Sequence, residues 1–144
     1  MFAGGYSFGA EVVPVALAEK TARPAALARV EGLVLLGPGP YASFEVSPLD
    51  WIRTSNAPTL HSVREAVESS PGAPVLCLES SDAADSGCPA GTVPGLTRVK
   101  LPGGHHFSGD FDGIANRISE FIEKAVHFGA TVRRMVQESP RSRG

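Results

Sequence analysis

Two short apolar runs, each bounded by glycine or proline, constrain the fold of this chain most. Residues 31–37 (EGLVLLG) and 75–78 (VLCL) show little polar alternation, which is typical of strands buried on both faces of a parallel sheet. Leu96–Leu101 (LTRVKL) alternates instead, which predicts a strand nearer a sheet edge. Residues 1–3 are also apolar, and we interpret them as the end of another buried strand.

Helical periodicity separates these runs. Residues 10–20 (AEVVPVALAEK) predict a helix with Pro14 well inside it, and residues 60–69 (LHSVREAVES) predict a second helix with Thr59 as N-cap. Apolar residues at helical spacing predict a final amphipathic helix that begins near Phe111. Its apolar positions are Phe111, Ile114, Ile118, Phe121, Ile122 and Ala125.

Strands that alternate with helices indicate an α/β fold with about four parallel strands and flanking helices. Between these elements, residues 38–58 are rich in proline, glycine and serine and predict an irregular excursion, and residues 79–95 predict a polar loop. In such a sheet the carboxyl ends of the strands meet at one edge, where active groups gather.

Composition excludes several classes of protein. The chain has 144 residues, of which 42% are hydrophobic and 19% charged, as expected for a globular domain. A net charge of −2 gives no electrostatic basis for binding nucleic acid. No apolar run approaches the length of a membrane span, and no signal peptide is visible in this chain. We assign residues 1–128 to the domain and residues 129–144 to a helical extension with a frayed basic tail.

The pentapeptide Gly5–Gly9 (GYSFG) matches G-x-S-x-G, the nucleophile elbow of α/β-hydrolases, in which a strand turns sharply into a helix. A strand before it and a helix after it are the context that this motif requires. Ser7 is then the candidate nucleophile, and the backbone amide of Phe8 is the candidate oxyanion donor. The alternative is a glycine-rich turn with an exposed serine.

A serine nucleophile needs a base, and the base needs a carboxylate that fixes its tautomer. Asp85 follows the third predicted strand and His105 follows the fourth, which gives the α/β-hydrolase order of Ser, Asp and His. We favour His105 over His106 because it directly follows two glycines at the strand end, and Asp85 over Asp82 because Asp82 also suits a turn cap.

Two further features have alternative interpretations. His105, His106, Asp110 and Asp112 are metal-ligating types, but their spacing matches no helical zinc motif, so we expect neither a metal nor another cofactor. The two aspartates suit the start of the last helix, where negative charge is favourable. Cys77 and Cys88 are either reduced or joined in a disulfide.

Three segments together resemble the VirJ/AcvB family of bacterial virulence proteins: residues 5–14 (GYSFGAEVVP), 75–89 (VLCLESSDAADSGCP) and 101–107 (LPGGHHF). The resemblance implies an α/β-hydrolase fold, periplasmic location and a link to type IV secretion. It implies a serine hydrolase that cleaves an ester of a lipid such as aminoacyl-phosphatidylglycerol. By this resemblance Ser7 is the nucleophile, Asp85 the acid and His105 the base.

The resemblance also implies partners and a departure. A lipid ester substrate implies contact with a membrane surface, secretion-system proteins are expected partners, and a periplasmic setting favours a Cys77–Cys88 disulfide. Family domains carry strands and helices before the elbow, so we expect here the C-terminal half of the fold without the loop that gives the second oxyanion donor. The alternatives are a non-catalytic component of a secretion system and an inactive truncated fragment.

Overall fold

The computed structural model describes residues 1–18, 29–43, 60–69 and 73–138, with side chains up to residue 127. The chain forms two compact units, Met1–Gly109 and Asp110–Gly144. In chain order the elements are β1 (Phe2–Tyr6), α1 (Phe8–Ala18), β2 (Gly32–Leu36), β3 (Tyr41–Ser43), β4 (Leu60–Ser62), α2 (Val63–Glu68), β5 (Val75–Ser80), β6 (Leu96–Leu101), a 3₁₀ segment (Gly104–Gly109) and α3 (Phe111–Glu138).

Four strands of the first unit form a parallel sheet in the order β1-β2-β5-β6. The order of these four strands in the sheet is therefore the same as their order in the chain. The mixed α/β fold with four parallel strands is therefore confirmed. All four carboxyl ends lie at one edge, and the loops after β1, β5 and β6 leave the sheet there.

The two central strands carry the core of this unit. Leu33 and Leu35 of β2 and Cys77 of β5 lie in one cluster with residues of both α1 and α2, each less than 9% exposed. The remaining cluster members are Ala10, Leu17, Val67, Val75 and Cys88. Val34, Leu76 and Leu78, which alternate with these residues along the strands, are buried as well. Burial on both faces is why these segments show little polar alternation.

The second helix begins later than the sequence predicts. Leu60–Ser62 is strand β4, which pairs with β3 in a small antiparallel sheet, so the predicted helix was wrong over these residues. Ser62 is the N-cap of α2, and its Oγ accepts a hydrogen bond from the Glu65 amide at 3.2 Å. Thr59 and residues 44–58 of the predicted excursion lie outside the described residues.

Three other boundaries differ from the prediction. β1 extends to Tyr6, and α1 begins at Phe8, two residues before the predicted start at Ala10. β5 extends through Glu79 and Ser80, which the sequence had placed in a loop. Pro14 is buried inside α1, where it can make no amide hydrogen bond. The predicted residues 19–20 of this helix lie outside the described residues.

A disulfide joins Cys77 in β5 to Cys88 in the loop that follows this strand, which confirms the pairing expected from the resemblance. The two Cα atoms are 5.9 Å apart, and both residues are fully buried. The bond closes a short loop, and such cross-links stabilise a fold mainly by restricting the unfolded chain. It therefore anchors the segment that carries Asp82 and Asp85.

The second unit consists of α3 as far as the structure describes it. Asp110 precedes this helix, and its Oδ1 accepts a hydrogen bond from the Gly113 amide at 3.0 Å. Asp110 and Asp112 therefore lie at the helix start, as the sequence predicts. The predicted frayed residues 139–144 lie outside the described residues. Among the described helices, none is both long enough and apolar enough to cross a membrane.

Candidate active site

Ser7 is the single residue between β1 and α1, and its backbone makes the turn from strand to helix. Its φ is 55°, a left-handed conformation that is uncommon for residues other than glycine. The Ser7 amide donates to the Leu36 carbonyl at 2.9 Å, and the Ser7 carbonyl accepts from the Ala10 amide at 2.8 Å. A strained serine between a strand and a helix is the geometry of a nucleophile elbow.

The two glycines of the motif have different roles in this turn. A Cβ placed on Gly5 would overlap the backbone of Gly9, because α1 turns back directly above the end of β1. A Cβ placed on Gly9 would meet no atom within 4 Å. The close approach of helix and strand therefore requires glycine at position 5, whereas position 9 is sterically open.

Hydrogen bonds that continue the sheet beyond its strands fix where the loops begin. Besides the bond from Ser7 to Leu36, the Gly37 amide donates to the Leu78 carbonyl at 2.7 Å and the Ser81 amide to the Leu101 carbonyl at 2.8 Å. The hydrogen bonding of the sheet thus continues for one residue after β1, β2 and β5, and each of these three residues is bonded to the neighbouring strand. By the strand register Ser7 is level with Gly37 and Glu79, so the loop that carries Asp82 and Asp85 begins two residues beyond this level, at Ser81.

The loop after β6 places a histidine over the end of β2. Gly103 and Gly104 turn the chain with φ values of 97° and 64°. The His105 ring then lies against Gly37, where an added Cβ would be 3.3 Å from both Nδ1 and Cε1 of the imidazole. Because Gly37 follows the strand that neighbours β1, His105 lies close to the strand that carries Ser7.

Tyr6, the residue before Ser7, contacts both histidines of this loop. Its hydroxyl is 3.1 Å from the His105 carbonyl oxygen and 2.9 Å from His106 Nδ1. Its ring centroid is 5.1 Å from that of His105. The sequence prediction had not used Tyr6, although it lies within the motif itself.

The two candidate acids belong to one loop and have local partners. Asp85 Oδ1 accepts from the Ser86 amide at 2.9 Å and lies 3.7 Å from Arg64 Nη2, while Asp82 Oδ1 accepts from Ser81 Oγ at 3.1 Å. Within the described residues, no hydrogen bond joins His105 to either carboxylate or to Ser7 Oγ. The structure brings the three residue types to one edge without connecting them, so the triad assignment stays a prediction.

A shallow cavity of about 240 Å³ lies at this edge. His105 and four carboxylate residues help to line it: Glu11, Glu79, Asp82 and Asp85. Ser7 is outside this lining. Carboxylates therefore surround the part of the cavity that is lined by His105, the candidate base, and Asp85, the candidate acid. Among the described residues, no group of three or more His, Cys, Asp or Glu is arranged to hold a metal ion.

Glu79 is a buried charge at the end of β5 that the sequence prediction missed. Its Oε1 is 2.7 Å from Arg98 Nε and 3.8 Å from Lys100 Nζ, both on β6, and only 2% of the residue is exposed. Its Oε2 is buried without a hydrogen-bond partner in the described part of the chain. The only sequence signal was a glutamate directly after an apolar run.

Burial alone would raise the pKa of the Glu79 carboxyl, because it disfavours the charged form. The hydrogen bond from Arg98, a weaker contribution from Ser86, and the charges of Arg98 and Lys100 outweigh burial and hold the pKa below its ordinary value. Glu79 therefore stays ionised at neutral pH and links β5 to β6 just below the acidic loop.

With this geometry in place, comparison with known proteins identifies the family. The family model described as "Bacterial virulence protein (VirJ)" matches residues 1–126. The chain belongs to the VirJ family. The match spans the elbow, the acidic loop and the histidine loop of this VirJ-family protein. A comparison with curated proteins and one with solved structures gave no match.

The unequal roles of the two motif glycines give a first prediction. Gly5→Ala forces a Cβ into the Gly9 backbone, and we expect the free energy of unfolding to fall by about 2–4 kcal/mol. Gly9→Ala fills open space in a helix, and we expect stabilisation of about 0.5–1 kcal/mol. Urea unfolding of both variants measures the two effects. Equal effects in the two variants would contradict the close approach at Gly5.

The lowered pKa of Glu79 predicts a pH-dependent effect of Glu79→Gln. A carboxyl whose pKa is depressed by folding stabilises the fold above its unfolded pKa and loses that contribution as the pH falls. We therefore expect Glu79→Gln to cost roughly 1–3 kcal/mol at neutral pH. This cost should shrink as the pH drops below the ordinary value of 4.5. Urea unfolding over a pH series measures this cost, and Glu68→Gln, at an exposed position, is the control. A cost of Glu79→Gln that stays constant with pH would contradict a lowered pKa of Glu79.

Proposed function

We propose that this VirJ-family chain carries the catalytic groups of a serine hydrolase that cleaves an ester of a lipid. One observation carries the proposal: Ser7 occupies a left-handed turn between a parallel strand and a helix, with a φ of 55°. A serine held in this way presents its hydroxyl at the carboxyl edge of the sheet. The same edge receives a loop with carboxylates and a loop with histidines, in the chain order that such enzymes use.

In the proposed first step, His105 removes the proton from Ser7 Oγ as this oxygen attacks the ester carbonyl carbon. The carbonyl π electrons move to the carbonyl oxygen, which becomes an oxyanion. When this tetrahedral intermediate collapses, the bond to the alcohol oxygen breaks. The imidazolium of His105 then gives its proton to the leaving alcohol, and the acyl group remains on Ser7.

In the second step, His105 takes a proton from a water molecule that attacks the acyl-serine. The bond to Ser7 Oγ breaks, the serine regains its proton from His105, and the carboxylic acid leaves. Asp85, with Asp82 as the alternative, stabilises the imidazolium in both steps. His105 has to move closer to Ser7 and to its carboxylate, since catalytic hydrogen bonds often form only with substrate bound.

The oxyanion needs hydrogen-bond donors, and the start of α1 supplies them. Phe8 and Gly9 are the first two residues of this helix, where backbone amides have no partner within the helix. The Phe8 amide follows the nucleophile directly and is the donor that an elbow provides. The positive end of the helix dipole adds to this stabilisation.

The acidic cavity supports an aminoacyl ester as the substrate class. Glu11, Asp82 and Asp85 provide negative charge around the cavity that His105 lines, which suits a substrate with an ammonium group near the scissile ester. An aminoacyl-phosphatidylglycerol has such a group and would bring the protein to a membrane surface. We extend the proposal to a periplasmic role linked to virulence and type IV secretion, with secretion-system proteins as partners.

A second candidate is a non-catalytic component of a secretion system that uses this fold as a binding surface. It is favoured by the lack of hydrogen bonds among Ser7, Asp85 and His105 in the described residues. Exposed apolar side chains such as Phe8 and Leu60, at 57% and 58% exposure, would serve such a surface. Secretion by a Ser7→Ala strain that equals the wild type would favour this function over catalysis.

The hydrolase proposal predicts covalent labelling of the protein by a fluorophosphonate at Ser7, because this reagent captures an activated serine. We expect Ser7→Ala to remain unlabelled and His105→Ala to react about 10²–10⁴-fold more slowly. Ser119→Ala, which removes an exposed hydroxyl on α3, should label like the wild type. Intact mass and peptide mapping measure the adduct. Label that persists in Ser7→Ala would overturn the assignment.

A further inference from the structure

Tyr6 ends β1 and directly precedes the candidate nucleophile, yet the reaction steps above give it no role. Its side chain is at the surface, with 43% of the residue exposed, so it contributes little to the core. Its hydroxyl nevertheless bridges two residues that lie about a hundred positions later in the chain, the carbonyl of His105 and the ring of His106. Its ring also packs 5.1 Å from the His105 ring.

The direction of these hydrogen bonds follows from the number of protons. A carbonyl oxygen can only accept, so the Tyr6 hydroxyl donates to the His105 carbonyl at 3.1 Å. A hydroxyl has one proton, so when that proton goes to the His105 carbonyl, His106 Nδ1 is the donor in the 2.9 Å contact. With both hydrogen bonds formed together, neutral His106 carries its proton on Nδ1, and this is the tautomer that we expect.

From these contacts we infer that Tyr6 is a positioning residue for the base of the proposed reaction. It links the backbone of His105 to the residue next to Ser7, so that one side chain helps to hold the base near the nucleophile. Two glycines with left-handed φ values precede His105 and the buried Phe107 follows it, so the Tyr6 hydroxyl holds the two histidines between these points. This inference rests on the proposed hydrolase function and adds a residue to its machinery.

The physical reason for an effect on rate is orientation. Displacement of a catalytic group by about 1 Å costs up to 10²-fold in rate, even where binding is unchanged. Loss of the hydroxyl removes both bonds and leaves the ring contact, so we expect a fall of roughly tenfold in the chemical step. His106 acts through the same hydroxyl and should have no effect once that hydroxyl is gone.

The test compares Tyr6→Phe with Tyr41→Phe, which removes a hydroxyl from another exposed tyrosine. Fluorophosphonate labelling at increasing reagent concentration separates the maximal rate of inactivation from the half-saturating concentration. We expect Tyr6→Phe to lower the maximal rate about tenfold with an unchanged half-saturating concentration and unfolding midpoint. His106→Ala should lower the rate less, and the double variant should match Tyr6→Phe alone.

A second measurement is independent of reactivity. Nitrogen–proton NMR correlation of the imidazole rings should show the Nδ1 proton on neutral His106 in the wild type and its loss in Tyr6→Phe. An unchanged tautomer overturns the inference. If the wild type is labelled and Tyr6→Phe reacts as fast as Tyr41→Phe, the inference is also overturned. The same holds if Tyr6→Phe loses rate only in proportion to a loss of stability. These outcomes leave the hydrolase proposal intact. A wild type that is not labelled at Ser7 overturns the hydrolase proposal and this inference together.

Discussion

The four strands of the sheet pair in parallel and in chain order, and this pairing determines where each loop leaves the sheet. Because β1, β2, β5 and β6 all point the same way, residues far apart in the sequence leave the sheet at one edge. The hydrogen bonds of Ser7, Gly37 and Ser81 continue this pairing one residue past the strands. The positions of the Ser7 turn and of the loop that carries Asp82 and Asp85 therefore follow from backbone pairing, and side-chain contacts then stabilise these positions.

Local interactions then hold each loop at that edge by different means. The elbow depends on the absence of a side chain at Gly5, and the acidic loop is tied to β5 by the Cys77–Cys88 disulfide. Glu79 joins the end of β5 to Arg98 of β6 through a buried ion pair. The histidine loop is held by the buried Phe107 and by hydrogen bonds from the Tyr6 hydroxyl to His105 and His106.

Much of the fold could be predicted from the sequence, and the errors have physical causes. The runs around Leu35 and Leu76 gave the central strands because burial on both faces removes polar residues. The start of α2 was misplaced because Ser62 both pairs in a strand and caps a helix, and neither role has a distinct sequence signal. Glu79 was read as a loop residue because its partners, Arg98 and Lys100, are aligned with it only by the register of β5 and β6. Tyr6 was missed since its partners lie across the sheet edge.

In the proposed mechanism the strand–Ser7–helix turn and the His105 loop form one catalytic centre. The most direct measurement is a crystal structure of the protein after reaction with a fluorophosphonate. We expect phosphorus bonded to Ser7 Oγ, a phosphoryl oxygen about 2.7–3.1 Å from the Phe8 amide nitrogen, and the His105 imidazole moved into hydrogen-bond distance of the adduct. An adduct on another residue, or one on Ser7 that faces away from both groups, would contradict this mechanism.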